Sequence, residues 1–170
     1  MKSQGTKPAL FSTKEGELYL SGPALFELLQ AVFDKGMSFR FKAKGFSMSP
    51  FIKDGDVVTI FPLAGASPRL GDVVVFVHPE MGRLIIHRVA GKRGDSILIR
   101  GDNTNDADGL IPKANILGRV TKVERDEKEV FLGLGPERIL IAFLTRKKLL
   151  FPLLLPVWRL IRPIIRRSPK

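Results

Sequence analysis

Hydrophobic residues near the start of the chain repeat with the period of a helix. Ser21-Gly22-Pro23 combines a polar capping residue with a proline suited to a first helical turn. Four apolar residues then recur at helical spacing before Gly36, namely Leu25, Leu28, Leu29 and Val32. This pattern predicts an amphipathic helix over residues 24–35 that packs its apolar stripe on the body of the protein.

From Ser38 onward the period changes to two, which is typical of half-buried β-strands. Phe39, Phe41 and Ala43 alternate with basic residues. Further β-rich runs, separated by turns that contain glycine or aspartate, cover residues 57–61, 73–77, 84–89, 97–100, 116–123 and 130–132. Short strands at this spacing predict a mainly β fold, with a compact antiparallel β domain over residues 37–133.

Two shorter regions flank this predicted domain. Residues 1–36 are expected to be a loose lead-in up to residue 20, followed by the helix. Residues 134–170 are predicted as an amphipathic basic tail that begins with a helical segment at 138–144. As a helix, the uncharged run 149–158 would cover about 15 Å, roughly half of a hydrocarbon core, and prolines interrupt it.

The positive charge of the chain is concentrated in this tail. The net charge is +11, and residues 137–170 contribute +8 of it, from nine Lys or Arg and one Glu. A basic segment rich in Leu, Ile, Phe and Trp suits an anionic membrane surface better than nucleic acid, so we expect a membrane partner and no nucleic acid. The alternative is that the segment packs on the β domain or on a partner. No signal peptide or spanning run is predicted.

Few residues are available for metal binding or for imidazole chemistry. The chain has no Cys and only two His, so we predict no metal site and no cofactor. His78 precedes Pro79 in an expected turn and is interpreted as structural. Any imidazole chemistry therefore falls to His87, which lies in the predicted strand 84–89.

Three successive segments carry the parts of a serine hydrolase. The first is Gly45-Phe46-Ser47-Met48-Ser49-Pro50, with Ser47 as the candidate nucleophile. The second contains His87, a side chain suited to act as a general base near neutral pH. The third, Gly101–Gly109, supplies three carboxylates of which one would orient the imidazole: Asp102, Asp106 and Asp108.

In this order the segments resemble the motifs of the signal peptidase family, within the clan that also contains the LexA-type self-cleaving repressors. Ser47-Met48-Ser49-Pro50 resembles the nucleophile box, and Gly101-Asp102-Asn103 resembles the acidic box. His87-Arg88-Val89 resembles the Ser-His branch rather than the many bacterial members with a Lys base. The resemblance runs from Gly45 to Gly109 and implies the compact β catalytic fold of this clan.

The resemblance also implies a role for each matched residue. Ser47 is the implied nucleophile, and its backbone N–H is an implied oxyanion donor. His87 is the implied general base. Asp108 matches the acid that orients the imidazole, whereas Asp102 matches an acid whose role is nearer to structural support. Gly45 stands where many Lys-based members have a Ser that helps the oxyanion hole, so the second donor is left open.

The neighbours of these residues have less specific interpretations. Met48, Pro50 and Phe51 are either plain core residues or part of an apolar substrate-binding surface that accepts small side chains. Arg88 is interpreted as a solvated strand residue without a role in the site.

The leading hypothesis is a serine endopeptidase that resembles signal peptidase and cleaves a leader or signal-type peptide after a small residue. Its expected partners are a peptide or preprotein substrate, a membrane surface and a membrane protein that supplies an anchor. We expect a peripheral protein of the cytoplasmic membrane, with the cytoplasm as the second choice. Two alternatives are a self-processing LexA-like regulator, with Ala64-Gly65 as a plausible scissile pair, and a catalytically degenerate peptide-binding or membrane accessory protein.

Overall fold

Most of the described chain forms antiparallel strands. A computed structural model describes residues 11–14, 17–20, 22–150, 152–153 and 156. Two helices are present in this part, α1 (Gly22–Asp34) and α2 (Arg138–Arg146). The strands are β1 (Phe11–Lys14), β2 (Glu17–Leu20), β3 (Phe39–Lys42), β4 (Val57–Pro62), β5 (Val73–Val77), β6 (Leu84–Arg93), β7 (Ser96–Arg100), β8 (Ala107–Pro112), β9 (Ile116–Arg125) and β10 (Lys128–Glu129). A short 3₁₀ helix, Lys113–Asn115, separates β8 from β9.

Eight of these strands form one antiparallel sheet. Its order is β3-β4-β9-β5-β6-β7-β8, and β10 pairs with β9 beside β5. Strands β1 and β2 form a separate antiparallel pair. The prediction of a mainly β, antiparallel fold is therefore confirmed.

The sheet carries hydrophobic core on both of its faces. Strand β5 lies in the middle of the order, and its four buried residues divide between the two sides. Val73 and Val75 belong to one core cluster, which also receives Leu29 of α1, whereas Val74 and Phe76 belong to the other. An uninterrupted apolar run is what a strand buried on both faces requires.

This two-sided sheet sends the neighbouring residues His87 and Arg88 of β6 to opposite faces. In the register of β5 with β6, His87 lies opposite Val74 and Arg88 lies opposite Val73. Because successive side chains of a strand alternate between faces, His87 shares the face of Val74, and Arg88 shares the face of Val73. The two residues therefore act on different sides of the sheet.

The lead-in and the last predicted strand differ from the sequence-based expectation. Residues 11–14 and 17–20 are paired strands, so the prediction of a loose lead-in is wrong there. The predicted strand 130–132 is also wrong. The chain turns at Asp126 and Glu127 after β9, and the strand that follows, β10, is only two residues long. Further along β9 the same edge is already paired with β5, so the chain leaves the sheet there.

Strand β8 was not predicted, whereas the ends of the other predicted elements agree with the structure within a few residues. Strand β5 has the predicted bounds, β6 continues four residues beyond the predicted end, and α2 continues two residues further. Half of the uncharged run 149–158 lies outside the described residues. Among the helices of the described chain, none has the length and apolar character needed to cross a membrane.

Candidate active site

Ser47 lies in a compact loop between β3 and β4 that is closed by its own backbone and side chains. The N–H of Gly45 donates to Asp54 Oδ1 at 2.7 Å, and the N–H of Ile52 donates to the carbonyl of Met48 at 3.1 Å. Gly45 has φ +91°, a left-handed conformation that favours glycine. The sequence Gly45-Phe46-Ser47 therefore lets the chain turn sharply just before the candidate nucleophile.

The far end of this loop is fixed by an ion pair between Asp56 and Arg125. Arg125 Nε and Nη2 donate to the two carboxylate oxygens at 2.8 and 2.7 Å, and Nη2 also donates to the carbonyl of Phe51 at 3.3 Å. Burial alone would raise the pKa of Asp56, but the hydrogen bond and charge of Arg125 and the N–H of Lys53 lower it overall. The loop is thus held by an ionised carboxylate.

Asp108, on the terminal strand β8 of the sheet, contacts His87 on β6. The Nδ1 of His87 and Oδ2 of Asp108 are 2.6 Å apart, and both side chains are largely buried. A carboxylate accepts only, so Nδ1 carries the proton in this bond, and the neutral ring then has its free lone pair on Nε2. This is the tautomer that a general base needs.

Asp108 reaches His87 because of an irregularity in β8. Ile99 pairs with Gly109 and Arg100 with Ala107, so Asp108 is the extra residue of a β-bulge. Bulges redirect a side chain out of the regular alternation. Strand β7 lies between β6 and β8 and ends at Arg100, so near this point no residue of β7 separates the two side chains along the sheet.

Gly101 is also where the nucleophile loop meets the imidazole. A Cβ at Gly101 would lie 2.8 Å from the carbonyl oxygen of Ser47 and 2.9 Å from Nε2 of His87. The N–H of Asn103 donates to that same Ser47 carbonyl at 2.7 Å. The turn 101–103 therefore holds the backbone of Ser47 close to Nε2.

The Ser47 hydroxyl itself is available to the imidazole. Ser47 and His87 line one cavity, and Ser47 is partly exposed to solvent. Among the described residues the Ser47 hydroxyl has no hydrogen-bond partner, so turning it toward Nε2 breaks no existing bond. Such nucleophile–base bonds are often completed only when substrate is bound.

Asp102 faces Arg88 and not His87. Arg88 Nε and Nη2 donate to the two oxygens of Asp102 at 2.8 and 2.7 Å, and Nη1 donates to the carbonyls of Gly71 and Gly133. Both side chains are almost completely buried, at 1% and 0% exposure. The interpretation of Arg88 as a solvated residue is therefore wrong, because β6 is covered on both faces. Its place next to His87 in a strand was the signal that it points to the other face.

The cavity at Ser47 has a volume of about 440 Å³ and mainly apolar walls from α1, β3, the nucleophile loop and β6. Its apolar lining residues are Leu25, Phe41, Ala43, Met48, Ile52, Met81, Leu84, Ile85 and Ile86. Of the three predicted substrate-binding residues only Met48 lines it, and Met48 also belongs to the core. Phe51 instead lies beneath the Arg88 guanidinium, 5.4 Å from the ring centre, and Pro50 is exposed outside the lining.

Two further sequence candidates lie away from this arrangement. The Nδ1 of His78 accepts from the backbone N–H groups of Glu80 and Met81, which is a role in the turn. Asp106 is exposed, and only its backbone carbonyl is used, as the acceptor of the Thr104 hydroxyl. In the described chain no group of three or more His, Cys, Asp or Glu residues could hold a metal ion.

The chain is similar to a family of known proteins. The family model described as Peptidase S24-like matches residues 11–121, a span that contains Ser47, His87 and Asp108. A search of curated proteins finds no match.

Proposed function

Because the chain belongs to the Peptidase S24-like family, a family of serine peptidases, we propose that it cleaves peptide bonds with Ser47 as nucleophile, His87 as general base and Asp108 as the acid that orients the base. The single observation that carries this proposal is the 2.6 Å bond between His87 Nδ1 and Asp108 Oδ2, with Nε2 turned toward the Ser47 loop. A buried imidazole in this tautomer can accept the proton of a neighbouring serine hydroxyl.

The proposed reaction has two balanced steps. Ser47 Oγ attacks the scissile carbonyl carbon while Nε2 of His87 accepts the hydroxyl proton, and Asp108 stabilises the imidazolium that forms. The carbon–nitrogen bond then breaks, the proton passes to the leaving amine, and an acyl ester remains on Ser47. Water attacks this ester, with His87 again taking and returning a proton, so Ser47 is regenerated. The backbone N–H of Ser47 is the proposed donor to the oxyanion.

The proposed substrate is an extended leader or signal-type peptide cleaved after a small residue. Apolar walls around Ser47 support binding of apolar side chains, and their limited volume favours small ones. The cavity runs along β3, the strand at one end of the sheet order, and an extended peptide that adds beside a strand is a common mode of recognition.

The direct test is cleavage of peptides in solution by the full chain. Extended peptides with Ala or Gly at varied positions are incubated with the protein, and the products are identified by mass spectrometry. We expect cleavage after small residues, its loss in Ser47→Ala, and its retention in Ser49→Ala, a matched substitution two residues away in the same loop. Cleavage by Ser47→Ala at the native rate would contradict the proposal.

Family membership also supports a second candidate, cleavage of the chain by itself. The Ala64-Gly65 pair suggested by the sequence lies in an exposed turn, with φ of +45° and +80°, and does not line the cavity. An extended scissile segment would require this turn to open and move. The mass of the purified protein during incubation separates the two functions: a Ser47-dependent loss of full-length chain supports self-cleavage, and a stable mass with peptide turnover supports the first proposal.

A further inference from the structure

Helix α2 presents apolar side chains on the face that points away from the domain. Ile139, Leu140 and Phe143 are 53%, 59% and 53% exposed and lie on one side of the helix. The opposite side is buried against the sheet and consists of Ile141, Ala142 and Thr145. The turn that leads into the helix adds two more exposed apolar residues, Phe131 and Leu132.

Basic side chains continue this outer face at the C-terminal end of the helix. Arg146 and Lys147 follow Phe143 by three and four residues and are both exposed one turn further along the helix; Nη1 of Arg146 lies at its edge, 3.5 Å from the Cβ position of Gly91 in β6. Lys92 and Arg93, from the end of β6, line a shallow depression together with Arg146. Within the described part of the chain, none of these four cations forms a salt bridge.

The composition of the chain beyond α2 continues the same pattern. From Lys147 to Lys170 the sequence contains seven Lys or Arg and no Asp or Glu. Its other residues are largely Leu, Ile, Pro and Phe, with the single Trp of the chain at Trp158. Apolar residues combined with unopposed positive charge match a bilayer with anionic headgroups, whereas a protein partner would have to supply matching acidic groups around an apolar surface.

We propose that the outer face of α2, defined by Ile139, Leu140, Phe143, Arg146 and Lys147, docks on an anionic lipid surface. The helix would lie in the plane of the interface, with its apolar residues among the acyl chains and its cations at the headgroups. The proposal does not depend on the catalytic assignment, because it rests on other residues.

The buried side of α2 attaches this surface to the catalytic domain. Thr145 Oγ1 donates to Asp102 Oδ1 at 3.3 Å, and Asp102 holds Arg88. Substitutions on the outer face leave that contact in place, so they test docking without disturbing the interior.

The test is sedimentation of the full chain with vesicles, using circular dichroism to confirm that each variant is folded. Native protein is mixed with vesicles of phosphatidylcholine and phosphatidylglycerol, or of phosphatidylcholine alone. We expect binding to the anionic vesicles and roughly 100-fold weaker binding of the double variant Leu140→Asp with Phe143→Asp. The matched control is Leu28→Asp with Phe61→Asp, which changes two residues of the same types that are 42% and 46% exposed elsewhere; it should bind as the native protein does.

A second variant tests the charges separately. Arg146→Gln with Lys147→Gln should weaken binding roughly tenfold at low salt and less at high salt. The proposal is overturned if the protein does not bind anionic vesicles, if it binds phosphatidylcholine equally well, or if the Leu140 and Phe143 substitutions have no effect. It is also overturned if those substitutions instead dissociate a lipid-free dimer in analytical ultracentrifugation, because the face would then join two copies of the chain.

Discussion

Two carboxylates that lie six residues apart, Asp102 and Asp108, work on opposite faces of the same strand. Asp108 contacts His87, and Asp102 contacts Arg88, the next residue of β6. His87 lines the cavity together with Ser47, and the side chains of His87 and Asp108 are 8% and 12% exposed. The pair at Arg88 is sealed between Phe51, α2 and two backbone carbonyls.

In the proposed mechanism, the difference separates a pair that takes part in the chemistry from a pair that stabilises the fold. A base that must exchange a proton with substrate needs a lone pair directed into a cavity, which His87 has at Nε2. A guanidinium whose donors all point at a buried carboxylate and at carbonyls has no such freedom, but it fixes the turn that carries Gly101 and Asn103 against Ser47. The two pairs should therefore respond differently to the loss of one carboxylate.

The largest expected effect is that of Asp108→Asn. Without the carboxylate the imidazole loses both its tautomer and the stabilisation of its cation, so the rate should fall about 10⁴-fold. The unfolding free energy should change less than in Asp102→Asn, because no buried guanidinium loses its charged partner. Asp106→Asn is the matched control and should keep the native rate. An equal loss of rate in both variants would remove the distinction between the two carboxylates.

The next effect is that of Asp102→Asn on stability. It leaves the buried guanidinium of Arg88 without an ionised partner, which should lower the free energy of unfolding by about 3–5 kcal/mol in a urea titration. A double variant, Asp102→Leu with Arg88→Met, removes both charges and should recover much of this loss. If Asp102→Asn kept native stability and lost activity as Asp108→Asn does, Asp102 would be the catalytic acid.

Gly101→Ala should have an intermediate effect, which lowers both the stability and the rate of cleavage. Its new Cβ would lie under 3 Å from the carbonyl of Ser47 and from Nε2 of His87, so the turn or the imidazole must shift. We expect a loss of about 1–3 kcal/mol of stability together with a lower rate. In Gly91→Ala the closest atom is 3.5 Å away, an ordinary contact, so this variant serves as the control for an added methyl group.

The smallest expected effect is on the pH dependence of stability and comes from Glu137, which is linked to Arg88 through Gly133. Burial raises the pKa of Glu137, but N–H donors led by that of Gly133, and the charge of Arg88, lower it overall below its usual value of 4.5. Because the folded pKa is lowered, the unfolded chain takes up the proton first. The stabilisation is complete above about pH 4.5 and is lost as pH falls through the folded value.

Glu137→Gln should therefore cost about 1 kcal/mol near neutral pH. The difference from the native protein in urea unfolding should shrink as the pH is lowered through the acidic range. A difference that stayed constant with pH would show that the carboxylate charge is not responsible.

The alternation of apolar and polar residues was enough to predict the sheet. It was not enough to predict where Asp102 and Asp108 lie in it. The apolar run of β5 gave that strand its correct bounds. Strand β8 was not predicted, because Ala107, Asp108 and Gly109 favour turns and are depleted in strands. It forms through pairing with β7, and Asp108 is the unpaired residue of its bulge. Such pairing over distance leaves no local pattern.

The buried arginine could not be predicted for a related reason. A charged residue in a strand is usually solvated, and Arg88 is buried only because β6 is covered on both faces and Asp102 arrives from a later turn. The resemblance of the motifs assigned Asp108 to the imidazole and Asp102 to support. In the structure Asp108 contacts His87, and Asp102 contacts Arg88.

Whether Ser47 is the nucleophile is tested most directly by a fluorophosphonate probe, whose site of covalent labelling is located by peptide mapping in a mass spectrometer. We expect the native chain to be labelled on Ser47 and His87→Ala to slow this labelling by orders of magnitude. Labelling of another residue, no labelling of the native protein, or native-rate labelling of Ser47 in His87→Ala would contradict it.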